Sequence, residues 1–387
     1  MQALSTIGYT DPVKTLRWGT ALPNIGARAW SLARQRAGAR LCLAGLLSTS
    51  WLSACGSSEA LGVSAMSVVS AGVVNDPANK SLRFDLLKFG LERFCVEMQR
   101  RGAPLKLSDT EPVLGRFFAD SCQARVIDED QRQSVIVSYS GSGYGWTNLT
   151  GRLGFSSSGS VEYAADFQQR EDAMYIYFRP RSVAGIAFRT LMIESALAQL
   201  GMGVAGVDAN AIGQDIVRRQ IERGFTVIRH SARGDAEFST GLVPVGQRPF
   251  RPFQVRSSDK QTLDNDRTEI HSGQQDLIGG LYVPESDQKL SLFLGLDGVA
   301  AVDVLVLPEA QALTLLRGYI NQPGPARLAA APVVDAELRS GQPLRLEFKV
   351  QPGNYYLMLD HSALVGRSTP PASDQAAKID YLVQLGE

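Results

Sequence analysis

The sequence predicts an α+β fold: an N-terminal helix plus an antiparallel meander with further helices, followed by a C-terminal β-sandwich domain. Three observations carry this. Phe84, Leu87, Leu91, Phe94, Cys95 and Met98 recur at helical spacing and form one apolar stripe. Four short β-rich runs follow it, separated by Gly/Ser or charged turns. Beyond a proline-rich stretch at 243–255, nearly every apolar run has the length of a strand.

Ahead of the body, Arg34, Arg36 and Arg40 precede the apolar block Leu41 to Leu47, and Leu52-Ser53-Ala54-Cys55 closes the segment. Basic, then apolar, then small is the order of a secretory signal. The apolar part is about a dozen residues, short of the ~20 that span a bilayer as a helix. Leu52 to Cys55 resembles the lipobox of bacterial lipoproteins at all four positions. The resemblance implies cleavage before Cys55 and a diacylglyceryl group on its sulfur. Each buried CH2 of an acyl chain contributes about 0.8 kcal/mol, and more than one chain anchors stably. In that family an aspartate after the cysteine favours the inner membrane, so Gly56 implies the outer membrane. Residues 1–54 then form leader and signal, and 55–80 a lipidated tether of small, weakly polar residues. The basic region starts near Arg28, and a start codon placed too far upstream accounts for the residues before it.

Composition agrees with an exported globular body. The apolar fraction is 44% and the charged fraction 20%. Of 39 basic and 39 acidic residues, six and one precede Cys55, so the remainder holds 33 against 38 and a charge near −5. That balance argues against nucleic acid as a partner. The membrane, reached through the lipid anchor, and a protein or apolar ligand are the partners that remain. Cys42 leaves with the signal and Cys55 carries lipid, so Cys95 and Cys122 are left as an even pair. In an oxidising compartment they would form a disulfide worth about 3.5 kcal/mol; the alternative is two buried thiols.

Within a domain at 81–245, Asn79 or Ser81 can cap the first helix, and Arg100, Arg101 and Gly102 close it. Strands are expected at Ser134 to Tyr139, Trp146 to Phe155, Ser160 to Phe167 and Met174 to Arg179. Helical periodicity returns from Val183 to about Leu200, and a second helix from Asn210 carries Ile212, Ile216, Val217 and Ile221 before Gly224. Phe225 to Ile228 reads as a strand, with Phe238 to Val245 as its partner. A second domain, 256–387, holds seven short strands between Glu269 and Leu385 and one helix, Glu309 to Tyr319. Its stretch PGNYYLMLDHS (Pro352 to Ser362) resembles a late strand of bacterial pre-peptidase C-terminal and GOLD-type modules.

The chain offers little catalytic chemistry. GSGYG (Gly141 to Gly145) is followed by strand-like residues instead of a phosphate-facing helix, so it reads as a hairpin turn. His230, His271 and His361 fall in separate strands, each followed by a serine, and a hydrolase or metal site would need them to converge. Asp128-Glu129-Asp130 lacks calcium-loop spacing, and Asp264-Asn265-Asp266, though at a sandwich edge where calcium can bind, is too short to make a site; both read as turns. No catalytic residue, metal ligand or cofactor is assigned. Tyr139, Tyr144, Trp146, Phe155 and Tyr163 make the meander aromatic, which reads as core. A carrier of lipid or another apolar ligand would instead line a cavity with Tyr163, Phe167 and Tyr177, and close it with Leu191, Leu197 and Leu200 from a helix. EPVLGRFFADSC (Glu111 to Cys122) and GYGWTNLTGRLGF (Gly143 to Phe155) are similar to segments of predicted lipoproteins of Gram-negative bacteria. The order of elements also resembles lipid-carrying envelope proteins that wrap a curved sheet around a helix. The reading is a binding or structural lipoprotein of the outer membrane, with the carrier and then a hydrolase as competitors.

Overall fold

The computed structural model describes residue 73 and residues 76–129, 132–148, 150–170, 173–195, 209–230, 236–255, 260–370 and 375–387. The leader, Cys55 and most of the tether lie outside the described residues, as do Leu197 and Leu200.

A short 3-10 turn, Pro77–Asn79, is capped by Asp76 Oδ1, which accepts from Ala78 N at 2.9 Å. It leads into α1, Lys80–Arg101, which stops at Gly102 with Arg100 and Arg101 in its last turn. Cations in the last turn suit the negative end of the helix dipole; here Arg101 donates to the Leu263 carbonyl and Arg100 lies 4.5 Å from the Tyr282 ring centroid. β1 (Ala103–Lys106) pairs with β2 (Val113–Glu129). Then β2, β3 (Arg132–Thr147), β4 (Gly151–Arg170) and β5 (Ala173–Ile193) pair antiparallel in chain order. α2 (Ala209–Glu222), β6 (Phe225–His230) and β7 (Ala236–Thr240) complete this part, with β6 on β5 and β7 on β6.

One face of the long meander is apolar and covered by helices. Leu87 and Leu91 of α1 pack on Val135, Val137, Val161, Tyr163, Phe167, Ile176 and Phe178. Val217 of α2 packs on Phe117, Ala119 and Phe155 along the same face.

The remaining strands are β8 (Gln261–Ile270), β9 (Gln274–Val283), β10 (Lys289–Asp297), β11 (Ala301–Pro308), β12 (Val334–Arg339), β13 (Leu344–Lys349), β14 (Gly353–His361) and β15 (Ala377–Gly386), with α3 (Glu309–Asn321) after β11. They form a β-sandwich: β13-β10-β15-β8 on one side and β12-β11-β14-β9 on the other. Their facing sides bury Leu290, Leu292, Leu294, Val302, Val304, Leu357, Leu359, Ile379 and Val383 between them. Alternation makes this possible, since residues two apart point the same way. α3 covers the outer face of the smaller sheet through Ala312, Leu315, Leu316 and Tyr319.

Two expectations are corrected. The fold class is not α+β but predominantly β, with the described strands gathered into two sheets. The larger has eleven strands among the described residues, and Val113 of β2 bridges Thr268 of β8 in parallel, so strands from both sides of 243–255 share it. Second, the segment from Val183 is no helix; it is the far half of β5, paired with β4 as far as Ile193. The reason is local. Register shifts at Ser158/Ser160 and Glu162/Tyr163, with Gly185 at φ 60°, break the two-residue alternation. Val183 and Ile186 then fall three apart on a bulged strand, a spacing that imitates a helix.

Candidate functional site

Lone charges embedded in apolar strands build the most distinctive polar site. Arg116 lies within Val113 to Phe118 of β2, and Asp276 precedes Leu277-Ile278 of β9; both are buried. The Arg116 guanidinium donates from Nε and Nη2 to the two Asp276 oxygens at 2.7 and 2.8 Å. Tyr144 donates its hydroxyl to Asp276 Oδ1 at 2.7 Å and accepts from Leu277 N at 2.8 Å. Arg116 also donates to the Tyr381 hydroxyl at 3.1 Å. Burial alone would push the Asp276 carboxyl up, but the Arg116 charge and the bonds from Arg116, Tyr144 and Thr268 hold it below its ordinary value. Alongside, Lys106 Nζ meets Asp266 Oδ1 at 2.8 Å, where burial outweighs the lysine and raises the carboxyl.

A second buried cation closes α3. The carbonyls of a helix's last turn have no partners within the helix. Arg152 of β4 fills this role, donating to the carbonyls of Tyr319, Gln322 and Gly324 at 2.9, 3.0 and 2.8 Å. Its guanidinium lies 3.8 Å from the Tyr319 ring centroid and 3.1 Å from Glu194 Oε1. Gly154 permits this contact, because a Cβ there would stand 1.8 Å from the Ile320 carbonyl oxygen. Tyr144, Trp146, Arg152, Gln275 and Tyr319 line a cavity of about 10 Å³. That is room for one water and no organic ligand.

The histidines converge in part. The His271 ring stacks on Trp146 with centroids 3.6 Å apart, and its Nε2 is 3.2 Å from Glu269 Oε1. His361 is buried and neither ring nitrogen has a hydrogen-bond partner. Burial, then the neighbouring His271, lowers its affinity for a proton. The Ser362 hydroxyl bonds to Asp360 at 2.9 Å, not to an imidazole, so no serine–histidine–carboxylate relay is assembled at Ser362. His230 lies on β6. Among the described residues no three His, Cys, Asp or Glu side chains are grouped to hold a metal ion.

The cysteine pair is a disulfide, Cys95–Cys122, joining α1 to β2 with Cα atoms 5.2 Å apart. The described members of the proposed cavity lining are not brought together. Tyr163 and Phe167 are core residues under α1, whereas Tyr177 sits on the opposite face with Tyr175, Ile228 and Val243. Leu191 is a strand residue of β5, packed near the α3 cluster. Gly141 to Gly145 lie inside β3, paired with β2, and are not a turn. Asp264 to Asp266 are likewise within β8. Sequence reasoning missed Arg116, Arg152 and Asp276. Their available signal was a single charge followed by apolar strand residues, a placement that requires a buried partner.

No described helix is long and apolar enough to cross a membrane. No family model and no curated protein matches the chain. Among solved structures, one described as "BiXyn10A CBM1 APO" is 11% identical, covering 43% of this chain and 84% of its own, with a TM-score of 0.16. Tripeptidyl peptidase 2 is 10% identical over 70% of this chain and 20% of its own, at 0.21. The insecticidal delta-endotoxin Cry8Ea1 from Bacillus thuringiensis is 8% identical over 74% and 51%, at 0.23. Likenesses of this size carry no functional argument.

Proposed function

We propose that the chain is an exported lipoprotein, held to the outer membrane by acyl chains on Cys55, whose β-rich body serves as a binding or structural module of the cell envelope. The observation that carries this reading is the Cys95–Cys122 disulfide downstream of Leu52-Ser53-Ala54-Cys55. Such bridges persist outside the reducing cytoplasm, and the sequence supplies a signal of matching destination. A rigid module is favoured over a carrier because Tyr163 and Phe167 are packed against α1, where a carrier needs open space.

The test is metabolic labelling with a clickable palmitate analogue, followed by envelope fractionation. The wild type is expected to take up label and sediment with outer membrane, and C55S to lose the label and leave the outer-membrane fraction. An unlabelled wild type, or C55S that still sediments with outer membrane, overturns the reading.

A further inference from the structure

At one end of the sandwich two acids confront each other. Asp303 of β11 and Asp360 of β14 are directly opposite in the antiparallel ladder, and both are fully buried. Facing residues of such a ladder stand within about 5.5 Å, and like charges there are destabilising. The segment 362–368 folds over them. Asp303 accepts from Arg367 N at 2.8 Å and from the Ser368 amide and hydroxyl at 3.0 and 2.6 Å. Asp360 accepts from the Ser362 hydroxyl at 2.9 Å and from Gln275 Nε2 at 2.7 Å. Gly366, at φ 79°, lets the loop lie directly on Asp303, where a Cβ would approach its Cγ to 2.1 Å. The same loop seats Val365 in the apolar cluster beneath α3.

The charges around Asp360 are few. β11 contributes Asp303, β9 the neutral Gln275, and the loop Ser362. Arg367 turns its guanidinium outward, 3.8 Å from Asp335. α3 contributes the Tyr319 hydroxyl, which accepts from Gln275 N at 2.9 Å. His361 is the next residue on the same strand. Among the described residues, no cationic side chain bonds to Asp360.

We infer that the 362–368 loop is a proton-operated latch, clamped while Asp360, facing Asp303, holds a proton and loosened when that proton leaves. Burial, with the Asp303 charge adding to it, pushes the Asp360 carboxyl up to about 7 in the closed state. Opening returns it to water and an ordinary value near 3.9. A closed form that binds the proton more tightly loses stability relative to the open form as pH rises between those two values. The opening constant therefore climbs about tenfold per pH unit from roughly pH 4 to pH 7 and levels off above.

Hydrogen exchange with mass spectrometry on the full, disulfide-bonded chain from pH 5 to 8.5, divided by intrinsic exchange rates, reads this directly. Peptides covering 362–368 are expected to open about 50-fold more at pH 7 than at pH 5, levelling off above about pH 8. D360N should abolish the dependence and stay clamped throughout. A flat wild-type profile, or the same rise in D360N, overturns the proposal. Should D360N fail to fold, 13C NMR of aspartate carboxyls in the wild type decides: a carboxyl titrating near neutrality together with the loop amides supports the latch, and all aspartates titrating below pH 5 refutes it.

Discussion

Arg116 and Asp276, 160 residues apart in sequence, are joined by two parallel hydrogen bonds inside the protein. Removing water from both ions is costly, and only the complete set of partners offsets it. Breaking the pair with D276N or R116M should therefore destabilise by about 3–5 kcal/mol, measured by denaturant unfolding. The double change R116M/D276L should recover more than half of that loss. The pH dependence carries a sign. Asp276 is held below its ordinary value, so its contribution is present above about pH 4 and is lost as pH falls through the lower, folded value. In R116M the sign reverses, and stability falls as pH rises past 4, because the orphaned carboxyl must be buried ionised or take up a proton.

The Cys95–Cys122 bridge closes a separation of 27 residues and ties α1 to the sheet it covers. Chain entropy predicts a loss of about 3.5 kcal/mol for the double alanine variant. Unfolding midpoints under oxidising and reducing conditions check this: the wild type should shift on reduction, and the variant should not.

Phe167 is 1% exposed beneath α1. As a packed core residue its replacement by alanine should cost about 3–5 kcal/mol. A cavity-lining residue would tolerate the change, and the affinity for an apolar dye would alter instead. Thermal unfolding and dye binding on Phe167→Ala separate the two.

Much of this architecture was legible from residue patterns, and the exceptions have physical causes. The stripe from Phe84 to Met98 falls within α1, and the alternation of Val161, Tyr163 and Phe167 places those residues on the buried face of β4. Proline and glycine punctuation separates the sandwich strands, whose apolar positions face each other. The far half of β5 misled because bulges shift the period of its apolar residues. Tyr177 misled in a different way: it lies on a strand buried on both faces, where an aromatic residue does not reveal which side it points to. The polar seam was hidden because one strand shows only half of each ion pair, and pairing Arg116 with Asp276 requires knowing that β2 and β9 meet. Disulfide pairing was legible on the reading that Cys42 leaves with the signal and Cys55 carries lipid, which leaves Cys95 and Cys122 as the pair.

Arg152 serves three carbonyls and one ring at once, a geometry that a flat, branched guanidinium can satisfy and an ammonium cannot. R152K should lower stability by about 2–3 kcal/mol despite keeping the charge. It should also speed amide exchange in the last turn of α3, read by hydrogen exchange at residues 318–324.

The central claim is that this body is anchored outside the cytoplasm through one sulfur. Intact-mass spectrometry of the protein extracted from cell envelopes tests it most directly. The account predicts a chain starting at Cys55, heavier by a diacylglyceryl group with or without a further acyl chain, and lighter by two protons for the Cys95–Cys122 bridge. A chain that retains residues 1–54, with Cys55 unmodified and all thiols free, would contradict it.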